Sequence, residues 1–410
     1  MAERPVAIVG GGPAGLAAAI ELRGLWPGET IVIEREAAAG GIARHARHQG
    51  FGLRDLRRAM SGPAYADRYA RLAREAGVEI LTETMATGWS ENGGLELTGP
   101  AGRSTLDPAA LVLATGCRER PRAARLVPGS RPAGVMTTGM LQQLVYLQGL
   151  PAGRRALVIG AEHVSFSAVL TLAHGGVRTI ALITEFRAHQ SSAAFRLGAL
   201  ARYRLPVWTR TRISAIHGSP RVQEVELTDL DSGRRRVVEC DTVVFSADWI
   251  PDQELAVTGG IGLDELTRGP AVDAGLHTTR PGVFAAGNVL HGAEQADVAA
   301  LGGRHVAGSV ARYLRDGTWP ERRVGVACEP PLGWIAPNAI AAGEGAPPRG
   351  RFALRARAAL RAPLVEVVQD DRVLMRRRLP RVMPGRSARL SAEWSAQVDT
   401  AGPPVTVRLA

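Results

Sequence analysis

The chain has 410 residues and a formal net charge of +11, with 45% of its residues hydrophobic. One core seldom serves so long a chain, so two or three domains are expected. No apolar run approaches the ~20 residues of a membrane span, and the amino terminus enters its first strand too early for a secretory signal, which predicts a cytoplasmic protein. Every basic residue is arginine, spread along the chain without a nucleic-acid-binding signature, so nucleic acid is not an expected partner. The missing lysine excludes side-chain Schiff-base chemistry. Cys117, Cys240 and Cys328 form no closely spaced pair, which argues against a local redox disulfide or a cysteine-ligated cluster. No metal-ligand spacing appears among the nine histidines.

The chain opens on PVAIVGGGPAGLAAAIELRGLWPGETIVIE, Pro5 to Glu34: strand, glycine turn, helix, strand and a terminal acid. Gly10 permits a tight turn off the strand, Gly12 lets a pyrophosphate approach the backbone, and Gly15 lets helix and strand pack closely. The unpaired N–H groups of the first turn behind Pro13, from Ala14 on, face the phosphates, and Glu34 is placed to accept from a ribose 2′-hydroxyl. This spacing in this context predicts a dinucleotide site.

Gly40 to Gly52 carries Arg44, His45, Arg47 and His48 beside Gly41 and Ile42, a set that suits the edge of a bound cofactor or equally a solvated basic loop. Ser61-Gly62-Pro63 starts a helix that Gly77 stops, and Val78 to Leu81 is the third strand. Leu95–Leu97 and Ser104–Leu106 read as a hairpin. Ala110 to Gly116 is a buried strand ending in Ala114-Thr115-Gly116, small residues where a cofactor passes close to backbone. Gly134 to Gly149 has a helical pattern.

The opening architecture then returns: a strand from Arg155 to Ile159, a turn from Gly160 to Ser165, a helix from Phe166 to His174 and a strand from Thr179 to Ile183 followed by Glu185. Glu162 stands where the middle glycine belongs. A carboxylate about 5 Å from a pyrophosphate charge, at an effective dielectric near 20, costs about 3 kcal/mol, roughly a hundredfold in affinity. The second unit is therefore read as a nucleotide fold kept for structure, with NAD(P) at Gly160, Glu162, Ser165 and Glu185 as the alternative. Further on, Gly282 to Asn288 reads as turn, buried strand and polar strand end, with a helix from Ala293 through Leu314. Cys328 to Pro348 is rich in Pro, Gly and Ala and reads as a linker. Residues 348–410 read as short strands in a small all-β domain with about a dozen arginines, including Arg376-Arg377-Arg378. That run is a solvated face or the docking surface of an acidic electron acceptor.

GGGPAG at 10–15, Glu34, ATG at 114–116, the turn at 160–165 and GVFAAGN at 282–288 together resemble the flavoproteins with two dinucleotide-binding domains, the glutathione-reductase and thioredoxin-reductase superfamily. Within it, TGCRERP from Thr115 and PAGVMTTG from Pro132 resemble both the flavoprotein subunits of hydrogen cyanide synthase, opine oxidases and amino-acid dehydrogenases and the flavoproteins found beside glycerol-3-phosphate dehydrogenase. GG-I…H…GFG from Gly40 and SGPAYA from Ser61 resemble the flavoproteins found beside glycerol-3-phosphate dehydrogenase. The resemblance implies an α/β chain of two Rossmann-like, three-layer dinucleotide-binding domains, the second inserted in the first. The flavin domain spans residues 1–135 and 271–325, the NAD(P)-like domain 150–270, and the small β domain follows. It implies FAD held by Gly10, Gly12, Pro13, Ala14, Gly15, Glu34, Arg35, Gly41, Ile42, Ala114, Thr115, Gly116, Gly287 and Asn288, the last standing where the superfamily carries aspartate. It also implies a small-molecule substrate, an electron-acceptor or iron–sulphur partner protein, and self-association as one outcome. His45, His48, His291 and Glu294 are the candidate proton acceptors as hydride leaves the substrate. An NAD(P)H-dependent reductase and a flavin-carrying component without activity of its own are the competing readings.

Overall fold

A computed structural model describes residues 4–191 and 205–410. It contains two compact units. One comprises the chain through Arg44 with Gln49–Cys117 and Pro251–Ala410, and the other comprises His45–His48 with Arg118–Ile250. Among the described residues no helix is long and apolar enough to cross a membrane.

The first unit is built on a five-stranded parallel sheet in the order Val283–Ala285, Ala110–Leu113, Val6–Val9, Thr30–Ile33, Glu79–Leu81. The three central strands are buried throughout and, Thr30 aside, apolar, as a sheet covered on both faces demands. The helix Pro13–Leu25 follows the first strand directly and buries Leu16, Leu22 and a run of alanines. Gly62–Glu75 is capped by the Ser61 hydroxyl, which accepts from the Ala64 N–H. The long helix Ala296–Asp316 crosses Pro13–Leu25 with no room to spare: a β-carbon on Gly303 would lie 2.0 Å from the Ala14 carbonyl oxygen.

Several local readings change. The hairpin is a three-stranded meander, because Met85–Trp89 pairs with Leu95–Gly99, which pairs with Gly102–Leu106. The long helix begins at Ala296 rather than Ala293. Residues 328–348 are not a linker: Leu332–Ala336 and Ala339–Ala341 are strands. The first pairs with Arg351–Ala356 and the second with Arg323–Cys328, so the β strands start at Arg323. Two sheets result, one running Ala339–Ala341, Arg323–Cys328, Val405–Leu409, Leu364–Gln369, Arg372–Arg378 and the other Leu332–Ala336, Arg351–Ala356, Ala388–Ser391. They share a core of Leu332, Phe352, Leu354, Val367, Leu390, Val405 and Trp394, the last on a single helical turn, Glu393–Gln397, rather than a strand.

The second unit repeats the parallel design, in the order Val135–Thr137, Thr242–Phe245, Arg155–Ile159, Arg178–Ile183, Val207–Trp208. The helix His163–His174 follows the central strand, and an antiparallel trio, Thr211–His217, Glu224–Asp229, Arg235–Glu239, lies beyond. The stretch expected to be one helix from Gly134 to Gly149 divides into the edge strand Val135–Thr137, the short helix Thr138–Gln142 and a wider π turn, Gln143–Leu147.

Candidate functional site

The first turn has the geometry of a pyrophosphate cradle. Gly10 has φ +109°, and a β-carbon there would lie 2.4 Å from the Ala114 carbonyl oxygen; one on Gly15 would lie 2.0 Å from the Gly10 oxygen. Gly12 is the contrast: among the described residues the only neighbour within 4 Å of its missing β-carbon is the Gly41 Cα, at 4.0 Å, which leaves the backbone accessible at the start of the helix that opens with Pro13 and Ala14. The Glu34 carboxylate is only 6% exposed. Its Oε2 accepts from the Gly11 N–H and its Oε1 from the Glu36 N–H, each at 2.9 Å, while burial raises its pKa. A buried carboxylate with lone pairs remaining is a natural acceptor for a ribose hydroxyl pair. Around this turn the fold gathers Gly41 on the turn Gly41–His45, exposed Ile42, Ala114, and Gly287, whose β-carbon would lie 2.6 Å from the Ala14 Cβ. The Thr115 hydroxyl donates to the Asp252 carbonyl oxygen, the Gly116 carbonyl oxygen accepts from the Asp252 N–H, and Arg35 pairs with the Asp252 carboxylate at 3.4 Å.

A second constellation forms on the loop between the last parallel strand and the long helix. Asn288 Oδ1 accepts from the Glu294 N–H at 2.8 Å, and its amide donates to the Glu294 carbonyl oxygen at 3.3 Å. This closed loop delays the helix to Ala296. It also sets Ala293 at φ +34°, with its N–H on Cys117 Sγ and its carbonyl oxygen accepting from Arg355 at 2.6 Å. His291 stacks on Trp334 with ring centroids 4.7 Å apart, and the Arg355 guanidinium lies over the same indole. Arg355 approaches Glu294 at 4.0 Å. His291 Nδ1 and Glu294 Oε1 are buried and have no hydrogen-bond partner among the described residues. Burial pushes the His291 imidazole down to about 4; Glu294 opposes that shift and Arg355 reinforces it. His291 is therefore neutral at physiological pH and a poor proton store, against the expectation of an imidazole poised near neutrality. Trp334 and Arg355 escaped sequence reading. The lone indole in PLGWIAP was the available signal, and nothing local marks Arg355.

Residues 4–303 match the family described as pyridine nucleotide-disulphide oxidoreductase. The chain belongs to that family. It is 26% identical over 326 residues to a ferredoxin–NADP reductase of Ignicoccus hospitalis, covering 77% of this chain and all of the relative. It is also 26% identical to an opine oxidase component of Agrobacterium tumefaciens, covering 71% of this chain and 62% of that protein. The T. acidophilum thioredoxin reductase structure superposes with a TM-score of 0.62 at 21% identity, over 75% of this chain and 98% of that one, which shows the shared fold.

As a member of the family the protein is an FAD-dependent oxidoreductase, and the open backbone at Gly12 with the buried Glu34 acceptor fits that cofactor. It lacks the family's namesake disulfide: none of its three cysteines is bridged, and burial pushes the Cys240 and Cys328 thiols up to about 12, leaving them protonated and unreactive. Among the described residues no cluster of His, Cys, Asp and Glu could hold a metal ion.

The second turn differs from the first in what fills it. Glu162 is the N-cap of His163–His174 and only 6% exposed. Its side chain faces the Ser165 backbone N–H, while the Ser165 hydroxyl accepts from the Glu162 N–H at 3.3 Å, a reciprocal capping box. A carboxylate thus sits on the helix N-terminus that an anionic ligand would use. Arg125 lies at the carboxyl end of Thr242–Phe245, over the Phe245 ring, donating to the Ser246 and Ala247 carbonyl oxygens at 2.8 and 2.6 Å. Gly160 keeps the tight turn with φ +140°, and exposed Glu185 is paired with Arg212 at 3.0 Å. His45 and His48 belong to this second unit by contact. His45 is buried with Nδ1 3.3 Å from Gln142 Oε1, and the Gln142 amide donates to the Ser167 hydroxyl, a chain that reads as structural support.

Proposed function

We propose that the protein oxidises a small amine, amino acid or hydroxy acid at FAD and passes the electrons to a separate acceptor, without taking up a nicotinamide nucleotide. The buried Glu162 carboxylate supports this reading most directly, because it stands where Gly12 leaves the first turn open. FAD supplies the hydride acceptor. In this reading the Gly10–Gly15 turn and the helix behind it hold the pyrophosphate, with Arg35, Gly41, Ile42 and the Ala114–Gly116 strand end alongside. Glu34 takes the ribose hydroxyls, and Gly287 with Asn288 shapes the passage for the ribityl chain. Neutral His291 orients the substrate through Nδ1, and Glu294, whose Oε1 has no hydrogen bond among the described residues, receives the proton released as hydride departs.

The family relatives named as NADP reductases, together with the turn retained at Gly160 and Glu185, favour a second reading, an NAD(P)H-driven reductase. Anaerobic titration of the FAD-loaded protein separates the two. The expected result is that NADH and NADPH leave the visible flavin absorbance unchanged while a member of the amine, amino-acid or hydroxy-acid set bleaches it. Glu162→Gly is expected to gain at least a tenfold tighter nicotinamide response. Rapid bleaching of the native protein by either nucleotide would overturn the proposal.

A further inference from the structure

The C-terminal strands carry an arginine face that the reading above leaves without a role. Arg351–Ala356 and Ala388–Ser391 are antiparallel, with Arg351 opposite Ser391 and Arg389 opposite Ala353. Arg351 and Arg389 are therefore diagonal neighbours on one side of the sheet. Phe352, Leu354 and Leu390 enter the β core from the other side. Arg349 stands two residues before Arg351, held at φ +63°, a strained backbone for arginine. Arg54 adds a fourth guanidinium, fixed where its backbone N–H and side chain both bind Asp297 at the start of the long helix.

The side chains of Arg349, Arg351 and Arg389 make no hydrogen bond or ion pair among the described residues, and all three residues are exposed. Partial burial and mutual repulsion hold Arg349 and Arg389 below the usual arginine range, with Arg351 and Arg54 adding to the repulsion. The acids within reach, Asp297 and Glu294, face Arg54 and Arg355 respectively. The Arg376-Arg377-Arg378 run is different. Arg376 is satisfied by buried Glu366, which Arg408 shares, and Arg378 donates to the Ala362 carbonyl oxygen. Arg377, Arg381 and Arg386 are also unpaired among the described residues, but Arg351 and Arg389 lie on the two strands paired beside Arg355. The strand of Arg351 sends Arg355 to the Ala293 carbonyl oxygen, so this face borders the loop from Asn288 to Glu294.

We propose that Arg349, Arg351 and Arg389, with Arg54 at the edge, form the docking surface for an acidic electron-carrier protein. The proposal rests on the reading that electrons leave for a separate acceptor. Exposed guanidiniums on one sheet face suit a broad carboxylate-bearing surface better than a small anion, which water would compete away. Several like charges within about a Debye length also steer an acidic partner to this side. Two one-electron carriers would dock here in turn and take one electron each, with the proton held by Glu294 and the one that came with the hydride going to solvent.

The test is calorimetric binding of an acidic plant-type [2Fe–2S] ferredoxin to the FAD-loaded protein at low and at physiological salt. The expected result is at least tenfold weaker binding as salt rises, and roughly a hundredfold loss at low salt in Arg349→Glu/Arg351→Glu/Arg389→Glu. Arg377→Glu/Arg381→Glu/Arg386→Glu, with the same charge change elsewhere on the β strands, is expected to bind normally. Folding of each variant is checked by its FAD content. Equal affinity of native and first variant would overturn the proposal, as would equal losses in both variants. A loss of duplex-DNA retention with ferredoxin affinity unchanged would also overturn it. Bleaching by NADH would defeat the functional reading and leave this binding comparison to stand or fall separately.

Discussion

Replacing Gly303 with alanine is expected to destabilise the first unit by about 3 kcal/mol, the upper end of overpacking. Alanine in mid-helix ordinarily stabilises by about 1 kcal/mol relative to glycine, so the sign here is set by packing alone. The added methyl would sit 2.0 Å from the Ala14 carbonyl oxygen, 2.9 Å from its carbon and 3.1 Å from its Cα, all backbone atoms with no side-chain freedom to move aside. Ala14 is also the residue against which Gly287 closes, so parting the two helices shifts the Gly10–Gly15 turn and the Asn288 loop together. Gly308 in the same helix is the internal control, because among the described residues nothing outside its own helix backbone lies within 4 Å of its missing β-carbon. Thermal melts with FAD content as the second readout should show Gly303→Ala melting several degrees lower and losing FAD, and Gly308→Ala melting no lower than the native protein. Similar melting of the two variants would show that the helix crossing relaxes freely.

Acid should unfold the protein through His291. Its imidazole is held at about 4 in the folded chain against an ordinary value of 6.5. The unfolded chain therefore binds the proton more readily. This contribution to stability is complete above about pH 6.5 and declines as pH falls toward 4, by about 3 kcal/mol for a shift of this size. His291→Phe keeps a ring on Trp334 and removes the titration. Denaturant midpoints of the two proteins, compared from neutral pH down to about 4.5, should converge or cross as the native protein alone loses stability in that window. Parallel decline of both would place the acid sensitivity elsewhere.

What the sequence encodes over short range was readable from it. The strand, the Gly10–Gly15 turn, the helix and Glu34 occupy consecutive positions, and the Ser61 cap and Gly77 stop lie beside the helix they bound. The failures share one cause, contacts with residues far along the chain. Ala293 and Glu294 are good helix formers, yet the Asn288 side chain claims the Glu294 N–H and postpones the helix. Residues 328–348 have the composition of a linker, but Trp334 pairs with Arg355 and Cys328 with Val407, pairings no local window contains. The imidazole of His291 was visible in the sequence. The indole over it, which with the rest of its burial sets its protonation, was not.

The Asn338 side chain accepts from the Val272 N–H, and the N–H groups of Asn338 and Ala339 both donate to the Val272 carbonyl oxygen. A segment of the first unit's parallel-sheet part thus completes its backbone pairing with strands that lie beyond Gly317. Deleting these strands would strip the Val272 N–H and carbonyl oxygen and the Ala293 carbonyl oxygen of these partners, whatever became of any role in docking. They can be repainted by substitution on the outer face, where Arg351 and Arg389 lie, far more readily than they can be deleted.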